Sequence, residues 1–241
     1  MFRLVLIVIT AFIYMIPFGL PVLLLLWLTG IFFPRLRDWG SWFFVKGITK
    51  IILHISGCRL HVLGEENIPQ DRTVLYVSNH RSFFDIFVYL QLLRRPTGSL
   101  TKKEWASYPL IRVWMKYVHC VFVDRSSARA GLESMNDLIA QMNKGFSFWI
   151  CPEGTRSHSD ELLPFHHGSF KAAFKTAYPI VPVTITGTDD LFENHLPKVR
   201  PAEVTISFDE PIETEGLDRS EQAELIDRIH TRIQEQYNKL H

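Results

Sequence analysis

A run of 31 residues near the amino terminus, from Leu4 to Pro34, contains no charged residue, and no other feature restricts the fold of this chain as strongly. As a single helix the run would be about 46 Å long, whereas the hydrocarbon core of a bilayer is about 30 Å thick. Pro17, Gly19 and Pro21 lie in its middle. Because proline removes a backbone donor and clashes with the preceding turn, we expect the helix to break there.

The two apolar halves on either side of that break, 4–16 and 22–33, would each be only about 20 Å long. Neither half would cross a bilayer alone, so a re-entrant hairpin and a kinked, tilted single span both remain open. Basic residues flank the run, Arg3 before it and Arg35 and Arg37 after it. This symmetry favours both ends on the cytoplasmic side, and therefore the hairpin. We expect the segment to anchor the chain to a membrane.

The segment that follows is also basic and apolar. Lys46, Lys50 and His54 recur at every fourth position, so on a helix over residues 39–56 they form one stripe. A helix lying in the membrane interface has this pattern, and a half-buried helix of the soluble body is the alternative. The sequence therefore predicts a membrane-anchoring helical segment over residues 1–56 and a separate domain over residues 57–241.

The composition excludes several classes of protein. Hydrophobic residues make up 47% of the chain, enough apolar surface to exclude disorder as its main state. A net charge of +1 argues against a dedicated nucleic-acid binder. The three cysteines form no CxxC pair, which argues against a disulfide scaffold and a cysteine-rich zinc site. We expect no nucleic-acid partner and no metal.

Beyond residue 57, short strands alternate with helices. The predicted strands are Arg59–Leu63, Thr73–Ser78, Gly98–Thr101, Val118–Val123, Phe146–Ile150, Ile180–Thr186 and Val204–Phe208. The predicted helices are Ser82–Leu93, Pro109–Lys116, Ala130–Asn143, His167–Thr176 and about 219–239. This alternation predicts an α/β fold with a mostly parallel sheet flanked by helices.

One polar segment, Asn-His-Arg-Ser-Phe-Phe-Asp at residues 79–85, lies at a strand-to-helix junction. His80 and Asp85 can touch only if His80 precedes the helix and Asp85 lies in its first turn, because on one helix they would face about 140° apart. A carboxylate against one ring nitrogen would fix the tautomer and leave the other nitrogen as a base. The alternative is that Ser82 and Asp85 form only a capping box.

A second polar segment, residues 151–157, follows another predicted strand. Gly154 allows a tight turn, and Arg156 can offer a fork of donors to a phosphate. Arg125 lies at the end of a third strand. Open α/β sheets bind their ligands at such strand ends, so these residues are candidates for one site.

The segments NHRSFFD, FVDR, PEGTRS and IVPVTI, in this order, resemble the four motif blocks of the glycerolipid acyltransferase family, specifically of 1-acyl-sn-glycerol-3-phosphate acyltransferases. The resemblance covers roughly residues 58–210. It implies transfer of an acyl group from a thioester to the sn-2 hydroxyl of 1-acyl-glycerol-3-phosphate, giving phosphatidic acid in phospholipid biosynthesis. His80 would be the general base and Asp85 would orient it. The chain departs from the family where residues 117–120 replace common glycines and where His166 and His167 replace a common lysine.

The resemblance also implies which residues contact the substrate. Arg156, Arg125 and Lys102 would hold the phosphate, and Glu153 would accept a hydrogen bond from the glycerol or brace the arginine. The oxyanion would be held by backbone N–H groups near the start of the helix. The full set of implied substrate contacts is Asn79, Ser82, Lys102, Arg125, Glu153, Gly154, Thr155 and Arg156.

The remaining expectations concern partners and alternatives. Acyl-CoA or acyl-acyl carrier protein would serve as co-substrate with no cofactor, and the partners would be lysophosphatidic acid and membrane lipids. The chain would lie at the cytoplasmic face of the inner (plasma) membrane. Three alternatives stay open: an acyltransferase acting on another lysophospholipid or a lyso-aminolipid, a thiol-dependent hydrolase using Cys151, and a non-catalytic membrane-interaction protein.

Overall fold

The computed structural model, which describes residues 1–124 and 127–241, begins with one long apolar helix. Helix α1 (Phe2–Ile13), a π-helical turn (Tyr14–Phe18) and helix α2 (Gly19–Phe32) follow one another without a reversal. By length and composition, Phe2–Phe32 could cross a membrane. The expected break is therefore wrong: Pro17 lies inside the π turn, where the wider bonding pattern compensates for the lost donor and the helix continues.

The chain reverses at Phe33 instead. Helix α3 (Pro34–Ser56) runs back along α2 and α1. Near its end the Arg3 Nη1 donates to the Ile55 carbonyl at 2.5 Å, and midway the Tyr14 hydroxyl donates to the Phe44 carbonyl at 3.1 Å. The hairpin is thus formed by α1–α2 against α3. It places Arg3 and Arg35 at opposite ends of α3, contrary to the favoured hairpin of two short apolar halves.

Helix α3 packs one face on the body of the protein. Its Trp42, Ile48 and Ile52 are buried in the core, while Phe43 is 62% exposed. The Lys46 ammonium donates to the Leu93 carbonyl at 2.8 Å. This arrangement agrees with the half-buried helix rather than with a helix whose whole basic stripe faces lipid headgroups.

Within the described residues, the body contains a seven-stranded sheet in the order β1-β7-β6-β2-β5-β3-β4. The strands are β1 (Cys58–Leu63), β2 (Leu75–Ser78), β3 (Thr97–Lys102), β4 (Val121–Val123), β5 (Ser147–Ile150), β6 (Ile180–Thr186) and β7 (Ala202–Phe208). The helices that follow α3 are α4 (Asp85–Leu92), α5 (Pro109–Tyr117), α6 (Ala128–Asn143), α7 (Lys171–Thr176), α8 (Thr188–Leu191) and α9 (Arg219–Leu240). Among the pairings of these described strands, only β6–β7 is antiparallel. The predicted α/β fold, with a mostly parallel sheet flanked by helices, is confirmed.

The central strands place three loops together. β2 lies between β5 and β6 and is parallel to both, and every residue of these strands is buried, as is typical of a sheet covered on both faces. The carboxyl ends of parallel strands meet at one edge of a sheet. The loops that begin at residues 79, 151 and 187 therefore converge there.

Candidate active site

His80 and Asp85 form a direct pair at this edge of the sheet. Helix α4 begins at Asp85, and His80 lies in the preceding loop, which is the arrangement that contact between them requires. The His80 Nδ1 lies 2.8 Å from the Asp85 Oδ2. The His80 side chain is 30% exposed and that of Asp85 only 3%. With Nδ1 donating to the carboxylate, Nε2 is left as the proton acceptor.

The Asp85 carboxylate is held on both oxygens. Its Oδ2 also accepts the backbone N–H groups of Arg81, at 2.8 Å, and Ser82, at 3.0 Å. Its Oδ1 accepts the Thr188 hydroxyl at 2.5 Å. These donors compensate for the removal of the carboxylate from water and fix its orientation toward the imidazole. The alternative capping box is not formed, because the Ser82 hydroxyl accepts the Phe84 N–H rather than that of Asp85, and Asp85 instead orients the imidazole and braces the loop.

Every backbone N–H group of the loop from His80 to Phe84 donates a hydrogen bond to a side-chain oxygen. The acceptors are Glu153 for residue 80, Asp85 for residues 81 and 82, Glu193 for residue 83, and the Ser82 hydroxyl for residue 84. Since these donors are already used, they are not available to an oxyanion. The expectation that N–H groups near the start of the helix hold the oxyanion stays a prediction, and residues 80 to 84 do not supply them.

Glu153 braces the backbone of the site. Its side chain is buried, and its two oxygens accept the N–H groups of His80 at 2.7 Å and Leu163 at 2.8 Å. Burial raises the pKa of this carboxyl above its usual range, although the two N–H bonds oppose the shift. Each oxygen thus binds a backbone N–H group inside the protein. The predicted role of bracing the arginine is not seen, because Arg156 pairs with Glu193 instead, and the contact with glycerol stays a prediction.

The rest of the PEGTR segment lies at the surface of the site. Gly154 has a φ of 73°, in the left-handed region, and so turns the chain sharply. Thr155 and Arg156 are exposed beyond that turn. The Arg156 Nη1 donates to the Glu193 Oε1 at 2.6 Å, and its side chain is 42% exposed. Its exposed donors make Arg156 suited to an anionic ligand.

The segment after β6 supplies side chains that the sequence motifs did not indicate. Thr188 contacts Asp85, Asp189 pairs with the buried Arg81 at 2.8 Å, and Glu193 contacts Arg156. The available signal was the cluster of acidic residues directly after a predicted buried strand, at the same edge of the sheet. Its distance along the chain from the NHRSFFD segment hid the connection.

Two of the predicted substrate contacts are occupied by the protein itself. Asn79 is fully buried, and its side-chain amide both donates to and accepts from the backbone of Ile185 at 2.9 Å. The buried Ser82 hydroxyl donates to the Glu193 Oε2 at 2.5 Å. Because their polar atoms are paired inside the protein, these placements correct the prediction that both residues contact the substrate: Asn79 joins the loop to β6, and Ser82 joins it to Glu193.

One further predicted cation, Lys102, lies further along the same edge of the sheet. Lys102 ends β3, which is parallel to β5, and its side chain is exposed. Arg125, which follows β4, lies outside the described residues. The structure therefore brings together His80, Asp85, Glu153 and Arg156 and leaves Lys102 at the margin of the site.

Cys151 lies beside the site but is poorly suited to act as a nucleophile. Its Sγ lies 3.5 Å from the Ser78 hydroxyl and 3.8 Å from the Asn79 carbonyl. Burial raises the pKa of this thiol to about 12. The thiolate is the reactive form of cysteine, so this environment argues against a thiol-dependent hydrolase.

Comparison with known sequences gives a consistent picture. The family model described as Acyltransferase matches residues 59–186. A 1-acyl-sn-glycerol-3-phosphate acyltransferase of Cocos nucifera is 32% identical over 199 residues, which cover 82% of this chain and 63% of that protein. The alpha form of the enzyme in Homo sapiens is 28% identical over 192 residues, covering 77% of this chain and 67% of that protein. The chain spans 63% and 65% of the first two curated relatives, just under two thirds of their length.

A solved structure shares the fold. The crystal structure of the 1-acyl-sn-glycerophosphate (LPA) acyltransferase, PlsC, from Thermotoga maritima matches with a TM-score of 0.85. The match covers 99% of this chain and 95% of that one at 24% sequence identity. The common architecture therefore includes the amino-terminal helices as well as the sheet.

Proposed function

This chain belongs to the Acyltransferase family, whose model matches it over residues 59–186, and on that premise we propose that it acylates the sn-2 hydroxyl of 1-acyl-glycerol-3-phosphate. The acyl donor is a thioester, and the product is phosphatidic acid, used in phospholipid biosynthesis. The names of the curated relatives support this acceptor. An exposed arginine beside the His80–Asp85 pair supports an acceptor that carries a phosphate.

The observation that carries the proposal is the pair itself, with Nδ1 and Oδ2 2.8 Å apart. Nε2 of His80 takes the proton of the sn-2 hydroxyl as that oxygen attacks the thioester carbonyl. The buried Asp85 stabilises the resulting imidazolium. When the tetrahedral intermediate collapses, the C–S bond breaks and the imidazolium returns its proton to the departing thiolate. The acceptor hydroxyl is the nucleophile, so no acyl-enzyme forms.

Arg156 holds the acceptor phosphate in this scheme, with Lys102, at the same edge of the sheet, and Arg125 as further cations. A guanidinium matches two phosphate oxygens at once, which fixes orientation as well as charge. The acyl donor is acyl-CoA or acyl-acyl carrier protein, acting as a co-substrate, and the chemistry needs no resident cofactor or metal.

Arg156→Lys is expected to raise KM for lysophosphatidic acid about tenfold, because lysine keeps the charge and loses the planar fork. KM for the acyl thioester should change little. Steady-state kinetics with each substrate varied in turn checks this. Arg129→Lys is the matched control, since Arg129 is an exposed arginine in an ion pair with Glu133 on α6. Equal rises in both KM values would mean that Arg156 has only a structural role.

The amino-terminal helices support a site that lies at a membrane. The side chains of α1 and α2 that point away from α3 are apolar and exposed, among them Leu24 and Leu28, at 57% and 48%. Phe83, next to the pair, is 44% exposed and lies 6.0 Å from Trp105 between ring centroids. A lipid acceptor then reaches the site from the bilayer, at the cytoplasmic face of the inner (plasma) membrane.

Leu24→Glu combined with Leu28→Glu is expected to weaken binding to phospholipid vesicles by at least about a hundredfold. The reason is that each leucine side chain contributes about 1.5–3 kcal/mol when it is transferred from water into the bilayer. Co-sedimentation with vesicles measures the effect. Leu132→Glu is the control, since Leu132 is 49% exposed on α6, away from the anchor. If the double variant sediments like the control, the anchor assignment is incorrect.

A further inference from the structure

Glu193 is a buried carboxylate that no sequence motif indicated. It is the first residue of a short 3₁₀ turn, Glu193–His195, that follows α8. Its side chain is only 5% exposed. Three donors converge on it: the Ser82 hydroxyl at 2.5 Å, the Phe83 N–H at 2.8 Å and the Arg156 Nη1 at 2.6 Å. A carboxylate removed from water needs such donors, and they fix its position.

The donors come from two different parts of the site. Ser82 and Phe83 lie in the loop between His80 and Asp85, whereas Arg156 lies in the PEGTR segment. Phe83 and Arg156 bond to the same oxygen, Oε1. One carboxylate therefore connects the loop of the proton acceptor to the arginine that faces the anionic ligand.

This connection matters because the acceptor has a fixed length. Its hydroxyl and its phosphate sit on adjacent carbons of one glycerol, so their separation varies little. If Arg156 grips the phosphate, its distance from His80 decides whether the hydroxyl reaches Nε2. Arginine has a large rotamer entropy, and a partner that holds its side chain in advance reduces the conformational freedom that binding must remove.

We propose that Glu193 is a positioning residue that sets the separation between Arg156 and the His80–Asp85 pair, and thereby selects acceptors by the distance between hydroxyl and phosphate. The inference rests on the proposed function. It assigns Glu193 no contact with the reacting atoms: the residue acts by fixing the position of Arg156 relative to the loop that carries His80.

The test compares Glu193→Gln with Asp190→Asn in the full-length protein, using lysophosphatidic acid and an acyl thioester. Asp190 lies on the same segment, is exposed, and bonds to Asn194 at 2.9 Å, so its variant controls for the loss of one negative charge. Glu193→Gln should raise KM for the acceptor about tenfold and lower kcat about tenfold, leaving the donor KM within about twofold. Asp190→Asn should match the wild type.

A second arm separates positioning from general stability. In an Arg156→Ala background, Glu193→Gln should change kcat/KM for the acceptor by less than about threefold, because the effects of substituting residues that act as a unit are not additive. The proposal would be overturned if the effects of Arg156→Ala and Glu193→Gln on kcat/KM multiplied as independent effects do. It would also be overturned if Glu193→Gln behaved like Asp190→Asn. If thermal melting shows that Glu193→Gln does not fold, Glu193→Asp, which keeps the charge on a shorter side chain, must show the same acceptor-specific change.

Assays of the wild-type protein distinguish a failure of the positioning role of Glu193 from a failure of the proposed function. If it transfers acyl groups to lysophosphatidic acid and the Glu193 variants behave as the control, the positioning role fails and the proposed function stands. If the wild type acylates no lysolipid acceptor, the proposed function fails and this inference fails with it.

Discussion

Replacing His80 with alanine is expected to lower kcat by about 10²–10⁴-fold, the usual contribution of a positioned general base. The loop should survive the change, because its bonds to Glu153, Asp85 and Glu193 involve the backbone of residues 80 to 83 rather than the imidazole. Acyl transfer in vesicles or detergent measures the loss. Thermal unfolding should remain within a few degrees of the wild type.

The chain provides its own control for this variant. His61, at 60% side-chain exposure, pairs with Glu203 at 2.7 Å on β1 and β7. His61→Ala therefore removes a histidine–carboxylate pair without touching the site, and should leave kcat unchanged. Retention by His80→Ala of more than about a tenth of the wild-type rate would be too high for a general base.

Asp85→Asn is expected to lower kcat by about 10³–10⁴-fold, near the loss seen for the equivalent change in serine protease triads. An asparagine oxygen can keep the position of Oδ2, where it accepts from the loop and from His80. Its amide nitrogen can donate to the Thr188 hydroxyl, which is able to accept. The fold should persist, while the charge that stabilises the imidazolium is lost.

The measurements for Asp85→Asn are the rate of acyl transfer and the unfolding midpoint, with Glu203→Gln as the matched control on the exposed pair. A large loss of rate with a small loss of stability supports the role of Asp85 in catalysis. A mild loss of rate together with a marked loss of stability would instead identify Asp85 as a structural cap of the loop.

The sequence predicted the parts of the site that are local. His80 and Asp85 lie within one heptapeptide, so the condition for their contact followed from helix geometry, and the alternation of strands and helices indicated the sheet. Glu193 and Thr188 escaped prediction because their contacts with the NHRSFFD loop depend on the strand order, which brings the end of β6 beside the end of β2. Local patterns carry no information about such order.

An apolar helical segment at the amino terminus was predicted, but its shape was not. The uncharged run indicated an anchor, but Pro17 did not end the helix, because the π turn absorbed it. Glu153 was missed in a similar way: its place in the PEGTR segment suggested a ligand contact, whereas its two oxygens bind backbone N–H groups. In both cases backbone hydrogen bonding determined the role of the residue.

The hydrogen bonds that hold the His80 loop also determine the order in which its contacts can form during synthesis. Ser82 and its acceptor Glu193 are 111 positions apart, so at roughly 5–20 residues per second the ribosome works for several seconds between them. The apolar helices at the amino terminus emerge before either. The nascent loop therefore lacks its two contacts with Glu193 during this interval, and a chain that stops short of residue 193 carries the complete NHRSFFD motif without the acceptor of the Ser82 hydroxyl and the Phe83 N–H.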